Sequence, residues 1–137
     1  FRIWYVISSI EIISLLSKIR NPKNITALSQ IAAISALQDS EYMKEYVKEV
    51  NIAKFSFDKE LREIGYEVFG IGGNFSLIKF RDNSLKNEFI NFLEMNKIFI
   101  RDYGHVPSME GCARITIGTT KQMRKVLNII RGFNIER

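Results

Sequence analysis

The order of segments after residue 40 limits the possible folds most strongly. Apolar residues recur every three or four positions over residues 41–64, which predicts one long amphipathic helix ending at Gly65. The remaining patterns predict strands over 66–69, 74–80, 98–101 and 112–117, with helices over 83–96 and 120–131. Because these strands are short and separated by tight turns or single helices, they favour an α+β fold. We expect a small, antiparallel-rich sheet with helices packed on one face.

The segment before residue 40 predicts a different organisation. Residues 3–7 are β-branched and aromatic, which predicts a buried strand, and Ser8 or Ser9 can cap a helix over 10–19. Thr26 can cap a second helix ending at Leu37, whose residues are small or aliphatic almost all round, so it is predicted to be buried on most faces. Since the chain opens inside a predicted strand, we expect it to be the C-terminal part of a longer protein.

Composition and charge exclude several classes of protein. No uncharged run reaches the ~20 residues that a membrane span needs, and one cysteine excludes an internal disulfide framework and suits the cytoplasm. The net charge is +5, but charges of both signs alternate along residues 41–54, which predicts a solvated helix face that includes Lys54. No stripe of Lys and Arg interleaved with aromatic residues is present, so nucleic acid is not an expected partner.

Two arginines on neighbouring predicted strands are the candidates for binding. Alternation along residues 112–117 places Ala113 and Ile115 on one face and Arg114 on the other. Arg101 ends the preceding apolar strand. An arginine cannot be deprotonated, so each must reach water, a carboxylate or an anion. Solvated strand positions and convergence on one anion both fit this spacing.

The other reactive residues favour structural roles. His105 is the single histidine and is predicted to be an exposed loop residue, so no metal site is expected. Cys112 is predicted to be a small core residue rather than a nucleophile. Phe89, Phe92 and Phe99 are predicted to lie in the core.

Several motifs together resemble the C-terminal portion of class I/II aminotransferases of pyridoxal-phosphate fold type I. The resemblance covers essentially the whole chain and is greatest to the histidinol-phosphate aminotransferase branch. The motifs are the strand at 1–7, the Asn-Pro crossover and helix at 21–33, the Asn-Phe strand at 73–78, and Arg101 followed by the Arg-Ile-Thr-Ile-Gly-Thr run at 114–119.

The resemblance implies roles for three residues. Arg2 matches the arginine that contacts the cofactor phosphate, Arg114 the arginine that holds the substrate's anionic group, and Arg101 a second substrate-phosphate arginine. It also implies a homodimer, pyridoxal 5'-phosphate as cofactor, and a phosphorylated amine or amino alcohol with an oxo-acid or amino-acid co-substrate. Residues 1–38 would end the large cofactor-binding domain, and residues 39–137 would form the small domain. The covalent cofactor lysine would precede Phe1, so the chain alone is expected to be inactive.

Two further interpretations stay open at this point. The reaction could be decarboxylation by a relative of the same fold. Alternatively, the chain could be a non-catalytic α+β module that binds a small anion or a partner protein.

Overall fold

The computed structural model describes residues 3–21, 25–70 and 72–133. The chain divides into two compact units, Phe1–Glu45 and Tyr46–Arg137. Its helices are α1 (Ile10–Ile19), α2 (Ala27–Gln38), α3 (Ser40–Glu63), α4 (Asn83–Met95) and α5 (Thr120–Ile130). Its strands are β1 (Glu67–Phe69), β2 (Phe75–Lys79), β3 (Arg101–Asp102) and β4 (Cys112–Thr116). Among these described helices, none is long and apolar enough to cross a membrane.

The first unit confirms the two predicted helix starts but not the predicted strand. The Ser9 side chain accepts a hydrogen bond from a backbone N–H of α1, and the Thr26 side chain does the same for α2. Residues 3–7 form no strand. A strand requires a hydrogen-bonded neighbour, and the described part of the chain pairs none with this segment.

The predicted burial of α2 is also wrong. None of its residues is buried, and Leu28 and Leu37 are 65% and 73% exposed. A helix that is apolar all round becomes buried only where other elements surround it. The described residues do not surround α2, so its composition alone could not determine its burial.

The second unit confirms the predicted antiparallel sheet. The strand order is β1-β2-β4-β3, and each neighbouring pair is antiparallel. The register places Phe69 opposite Leu77, Leu77 opposite Arg114, and Arg114 opposite Arg101. These four side chains therefore form one row across all four strands, on one face of the sheet.

The other face of the sheet carries the hydrophobic core. Ile78 of β2 and Ala113 of β4 lie opposite each other and are fully buried. Three helices pack large apolar side chains into this core: Phe57 and Leu61 from α3, Phe89 and Leu93 from α4, and Leu127 and Ile130 from α5. Burial of one sheet face leaves the row that contains Arg114 on the opposite, open face.

The strand predicted over residues 98–101 is largely wrong. Lys97 adopts a left-handed conformation with φ of 62°, and the Ile98 N–H donates to the Leu93 carbonyl at 2.9 Å. Ile98 thus still takes part in closing the end of α4. Strand pairing begins only at Arg101, and Phe99, predicted to be in the core, is 77% exposed.

A buried polar cluster joins α3 to β2, contrary to the predicted solvation of Lys54. Lys54 Nζ donates to Asp58 Oδ2 at 2.9 Å, to the Phe75 carbonyl at 2.8 Å and to Ser76 Oγ at 2.9 Å. Ser76 Oγ in turn donates to Asp58 Oδ1. All three donor protons of the ammonium therefore have acceptors, which is the condition for tolerating a buried charge.

Tyr66 offers a simple test of this packing. Its ring packs against Phe80 and Phe89, and burial raises its pKa. Its Oη is buried and has no hydrogen-bond partner among the described residues. Because an unpaired buried hydroxyl is unfavourable, Tyr66→Phe should raise the free energy of unfolding by about 1 kcal/mol in urea denaturation. Tyr46→Phe, at a residue 47% exposed, should leave it unchanged. A clear decrease in the free energy of unfolding in Tyr66→Phe would contradict the view that the Tyr66 hydroxyl is buried and unpaired.

Candidate functional site

Arg101 and Arg114 line a groove on the open face of the sheet. The two residues lie directly opposite each other on β3 and β4, a position in which Cβ atoms are about 4.5–5.5 Å apart. The groove has a volume of about 450 Å³, and besides the two arginines it is lined by Phe99, Ile100, Asp102, His105 and Thr116. Like charges placed opposite each other destabilise a sheet, so their presence suits a site that receives an anion.

The turn at Gly111 sets where β4 begins. Gly111 has a φ of +71°, and a Cβ added there would lie 2.6 Å from the Phe80 carbonyl oxygen. Its own carbonyl accepts from the Phe80 N–H at 2.8 Å, and its N–H donates to Asn83 Oδ1 at 2.9 Å. Only glycine fits this conformation and this close approach. The turn fixes the start of the strand that carries Arg114.

Two aromatic side chains, one on β2 and one just after β3, flank the guanidinium of Arg114. Its Cζ lies 5.5 Å from the ring centroid of Phe75 and 5.4 Å from that of Tyr103. Arg114 Nη1 donates to Tyr103 Oη at 3.0 Å. Arg114 Nε is buried and has no hydrogen-bond partner within the part of the chain that the structure describes. The guanidinium is therefore held in place while part of its hydrogen-bonding capacity remains unused.

No protein carboxylate neutralises the two arginines among the described residues. The ion pairs there involve neither Arg101 nor Arg114. Asp102, which follows Arg101, instead forms an ion pair with the buried ammonium of Lys86. The hydrogen bond from Lys86 holds the pKa of the Asp102 carboxyl below its usual value. The arginine pair thus keeps its positive charge available for a ligand.

The remaining predicted residues have mixed outcomes. His105 is exposed, as predicted, and also lines the groove. Cys112 is buried, as predicted. The described ranges contain no cluster of His, Cys, Asp or Glu that could hold a metal ion. Arg2, predicted to contact a cofactor phosphate, lies outside the described residues.

Sequence reasoning missed three aromatic residues of this site. Phe99 lines the groove, and Phe75 and Tyr103 pack against Arg114. Tyr103 stands two positions after Arg101, so strand alternation could have placed it on the same face. The contact with Phe75 depends on the register between β2 and β4, which no local pattern specifies.

The fold and the candidate site together define a class of protein. An antiparallel sheet with helices on one face, and on the other an arginine pair that no carboxylate of the described residues neutralises, defines an α+β domain. The sequence model of the family "Aminotransferase class I and II" matches residues 1–130. The chain belongs to this family.

Individual relatives agree with the family. The chain is 45% identical over 137 residues to a dihydroxyacetone phosphate transaminase of Campylobacter jejuni, covering 97% of this chain and 36% of that protein. It is 32% identical over 136 residues to a histidinol-phosphate aminotransferase of Parabacteroides distasonis, covering 98% and 39%. The chain therefore spans little more than a third of the length of these curated relatives.

A solved structure shares the fold. The histidinol-phosphate aminotransferase of Sinorhizobium meliloti, solved in complex with pyridoxal 5'-phosphate, matches with a TM-score of 0.73 and 25% identity. The match covers 87% of this chain and 34% of that one. The predicted resemblance and fold class are thereby confirmed.

Proposed function

We propose that this chain is the C-terminal part of a pyridoxal-phosphate-dependent aminotransferase that acts on a phosphorylated amine or amino alcohol, such as histidinol phosphate. Residues 1–38 end the cofactor-binding domain, and residues 39–137 form the small domain. The enzyme is a cytoplasmic homodimer with an oxo-acid or amino-acid co-substrate.

The observation that carries this proposal is the arginine pair on the open sheet face. Arg101 and Arg114 lie directly opposite each other on the neighbouring strands β3 and β4. Neither has a carboxylate partner among the described residues. A phosphate dianion has enough oxygens to accept hydrogen bonds from both guanidinium groups. The transaminase of Campylobacter jejuni and the histidinol-phosphate aminotransferases support this assignment, because each is named for a phosphorylated compound.

The residues of this chain act on the substrate by orienting it. Pyridoxal phosphate, when bound, supplies the electron sink for cleavage of the Cα–H bond. Arg101 and Arg114 hold the phosphate end of the substrate, which fixes its reacting end relative to the cofactor. Arg2 is the residue of this chain that would contact the phosphate of the cofactor.

The test compares a phosphorylated substrate with its dephosphorylated counterpart. In the full-length enzyme, with an oxo acid as amino acceptor, kcat/KM for histidinol phosphate should exceed that for histidinol by at least about 100-fold. Inorganic phosphate should compete with the phosphorylated substrate. Equal kcat/KM for the two compounds would contradict the proposed role of the arginine pair, and release of carbon dioxide from a phosphorylated amino acid would instead identify a decarboxylase.

A further inference from the structure

A backbone hydrogen bond of Tyr103 positions its side chain at the edge of the candidate site. The Tyr103 N–H donates to the Cys112 carbonyl at 3.0 Å, which continues the pairing of β3 with β4 by one residue. This contact places Tyr103 on the same face of the sheet as Arg114. Tyr103 is half-buried, so its hydroxyl can take part in a contact at the groove rather than in the core.

Tyr103 contacts Arg114 through two different groups. The hydroxyl oxygen accepts a hydrogen bond from Nη1 at 3.0 Å, and the ring centroid lies 5.4 Å from Cζ. The hydrogen bond fixes the direction of one guanidinium nitrogen, whereas the ring contact favours a cation above its face. Both contacts together restrict the rotation of the guanidinium about the end of the side chain.

Phe75 restricts the same group from the other neighbouring strand. It lies opposite Thr116, on the C-terminal side of Arg114, whereas Tyr103 pairs near Cys112, on the N-terminal side. The Phe75 carbonyl is in turn held by buried Lys54. The arginine is thus flanked along β4 in both directions before any ligand arrives.

This arrangement matters because a free arginine side chain is among the most flexible in proteins. Ordering such a side chain on binding has an entropic cost that weakens affinity. When contacts within the protein already order it, that cost falls on folding rather than on binding. Affinity for the anion should therefore depend on the residues that hold the arginine.

We propose that Tyr103 is a positioning residue that orients Arg114 for binding of the substrate anion. The inference rests on the proposed function, because Arg114 is the anion-binding group there. Tyr103 acts on ground-state binding of the phosphate, so its loss changes the KM for a phosphorylated substrate more than kcat. No direct contact between Tyr103 and the ligand is required.

The experiment measures binding of inorganic phosphate to the full-length enzyme by calorimetry, together with KM and kcat for the phosphorylated substrate. Tyr103→Phe keeps the ring and removes the hydroxyl, and should raise the Kd for phosphate and the KM about 10-fold, with kcat within about two-fold. Tyr103→Leu removes both contacts and should raise them further. Tyr66→Phe is the matched control, since it removes a tyrosine hydroxyl from the opposite face, and should leave both constants unchanged.

The outcomes separate this inference from the function on which it rests. If Arg114→Ala abolishes phosphate binding while both Tyr103 variants bind like the wild type, the positioning role is overturned and the proposed function stands. If Arg114→Ala binds phosphate as well as the wild type does, both are overturned. Equal decreases in kcat and equal increases in KM in Tyr66→Phe and Tyr103→Phe would also overturn the positioning role. The effect would then not be specific to the hydroxyl that contacts Arg114.

Discussion

Replacing Arg114 by alanine in the full-length enzyme should lower kcat/KM for a phosphorylated substrate by about 10²- to 10⁴-fold, because two charge-assisted hydrogen bonds contribute about 3–6 kcal/mol. The loss should be this large because Tyr103 and Phe75 already order Arg114, so little of its interaction with the anion is offset by ordering of the side chain. Arg101 alone would then hold the phosphate. Steady-state kinetics with the phosphorylated substrate measures the effect.

Two further variants separate charge from geometry. Arg114→Lys keeps the positive charge but loses the planar donor arrangement, so we expect an intermediate loss. Arg124→Ala is the matched control, since Arg124 is an exposed arginine on α5, outside the residues that line the groove, and should leave kcat/KM unchanged. Wild-type kinetics in Arg114→Ala would refute the assignment of the substrate anion to this residue.

Asp58→Ala should destabilise the fold by about 3–5 kcal/mol, because it leaves the buried ammonium of Lys54 without its carboxylate. The side chains of both partners are less than a tenth exposed. Water therefore cannot easily replace the lost acceptor, and the hydroxyl of Ser76 loses its acceptor as well. Urea denaturation followed by circular dichroism measures the change.

The same helix supplies a control for this prediction. Lys59 and Glu63 have the same four-residue spacing on α3, but their side chains are 65% and 59% exposed. Glu63→Ala should therefore change the free energy of unfolding by no more than about 0.5 kcal/mol. Joint replacement by Lys54→Met and Asp58→Leu should lower the free energy of unfolding much less than Asp58→Ala does, since no charge is left buried. Equal effects of Asp58→Ala and Glu63→Ala would show that burial of the pair has no energetic weight.

The helices could be predicted from the sequence because their signals are local. Ser9, Thr26 and Thr119 cap helices at or next to the expected positions, and Gly65 has the positive φ expected after α3. Each of these signals acts within about four residues of the helix end. The antiparallel sheet followed from the short connections between strands.

Features that depend on distant residues could not be predicted in the same way. Residues 3–7 have the composition of a strand, but composition supplies no partner to pair with. Lys54 belongs to a charged pattern typical of a solvated helix, and only the packing of α3 on β2 shows that it is buried. Burial and pairing are tertiary properties, so propensity alone does not determine them.

The candidate site, too, could be predicted only in part from the sequence. Alternation was sufficient to place Arg114 away from the core, the predicted strand end already made Arg101 a second candidate, and the resemblance to the family implied substrate-binding roles for both. The exact register that sets them opposite each other appears only in the structure. The contacts of Arg114 with Phe75 and Tyr103 depend on that register as well, so the aromatic residues that hold it were not predicted.

The shortness of the two outer strands bears on the solubility of the chain. β1 and β3 form the edges of the sheet and have three and two residues, so they offer little backbone for a second molecule to pair with. Before β3, the apolar run of residues 98–100 lies between Lys97 and Arg101. Charges at both ends of such a run oppose intermolecular β-pairing. Arg101, which we propose binds an anion, is thus also placed to oppose intermolecular pairing at a sheet edge.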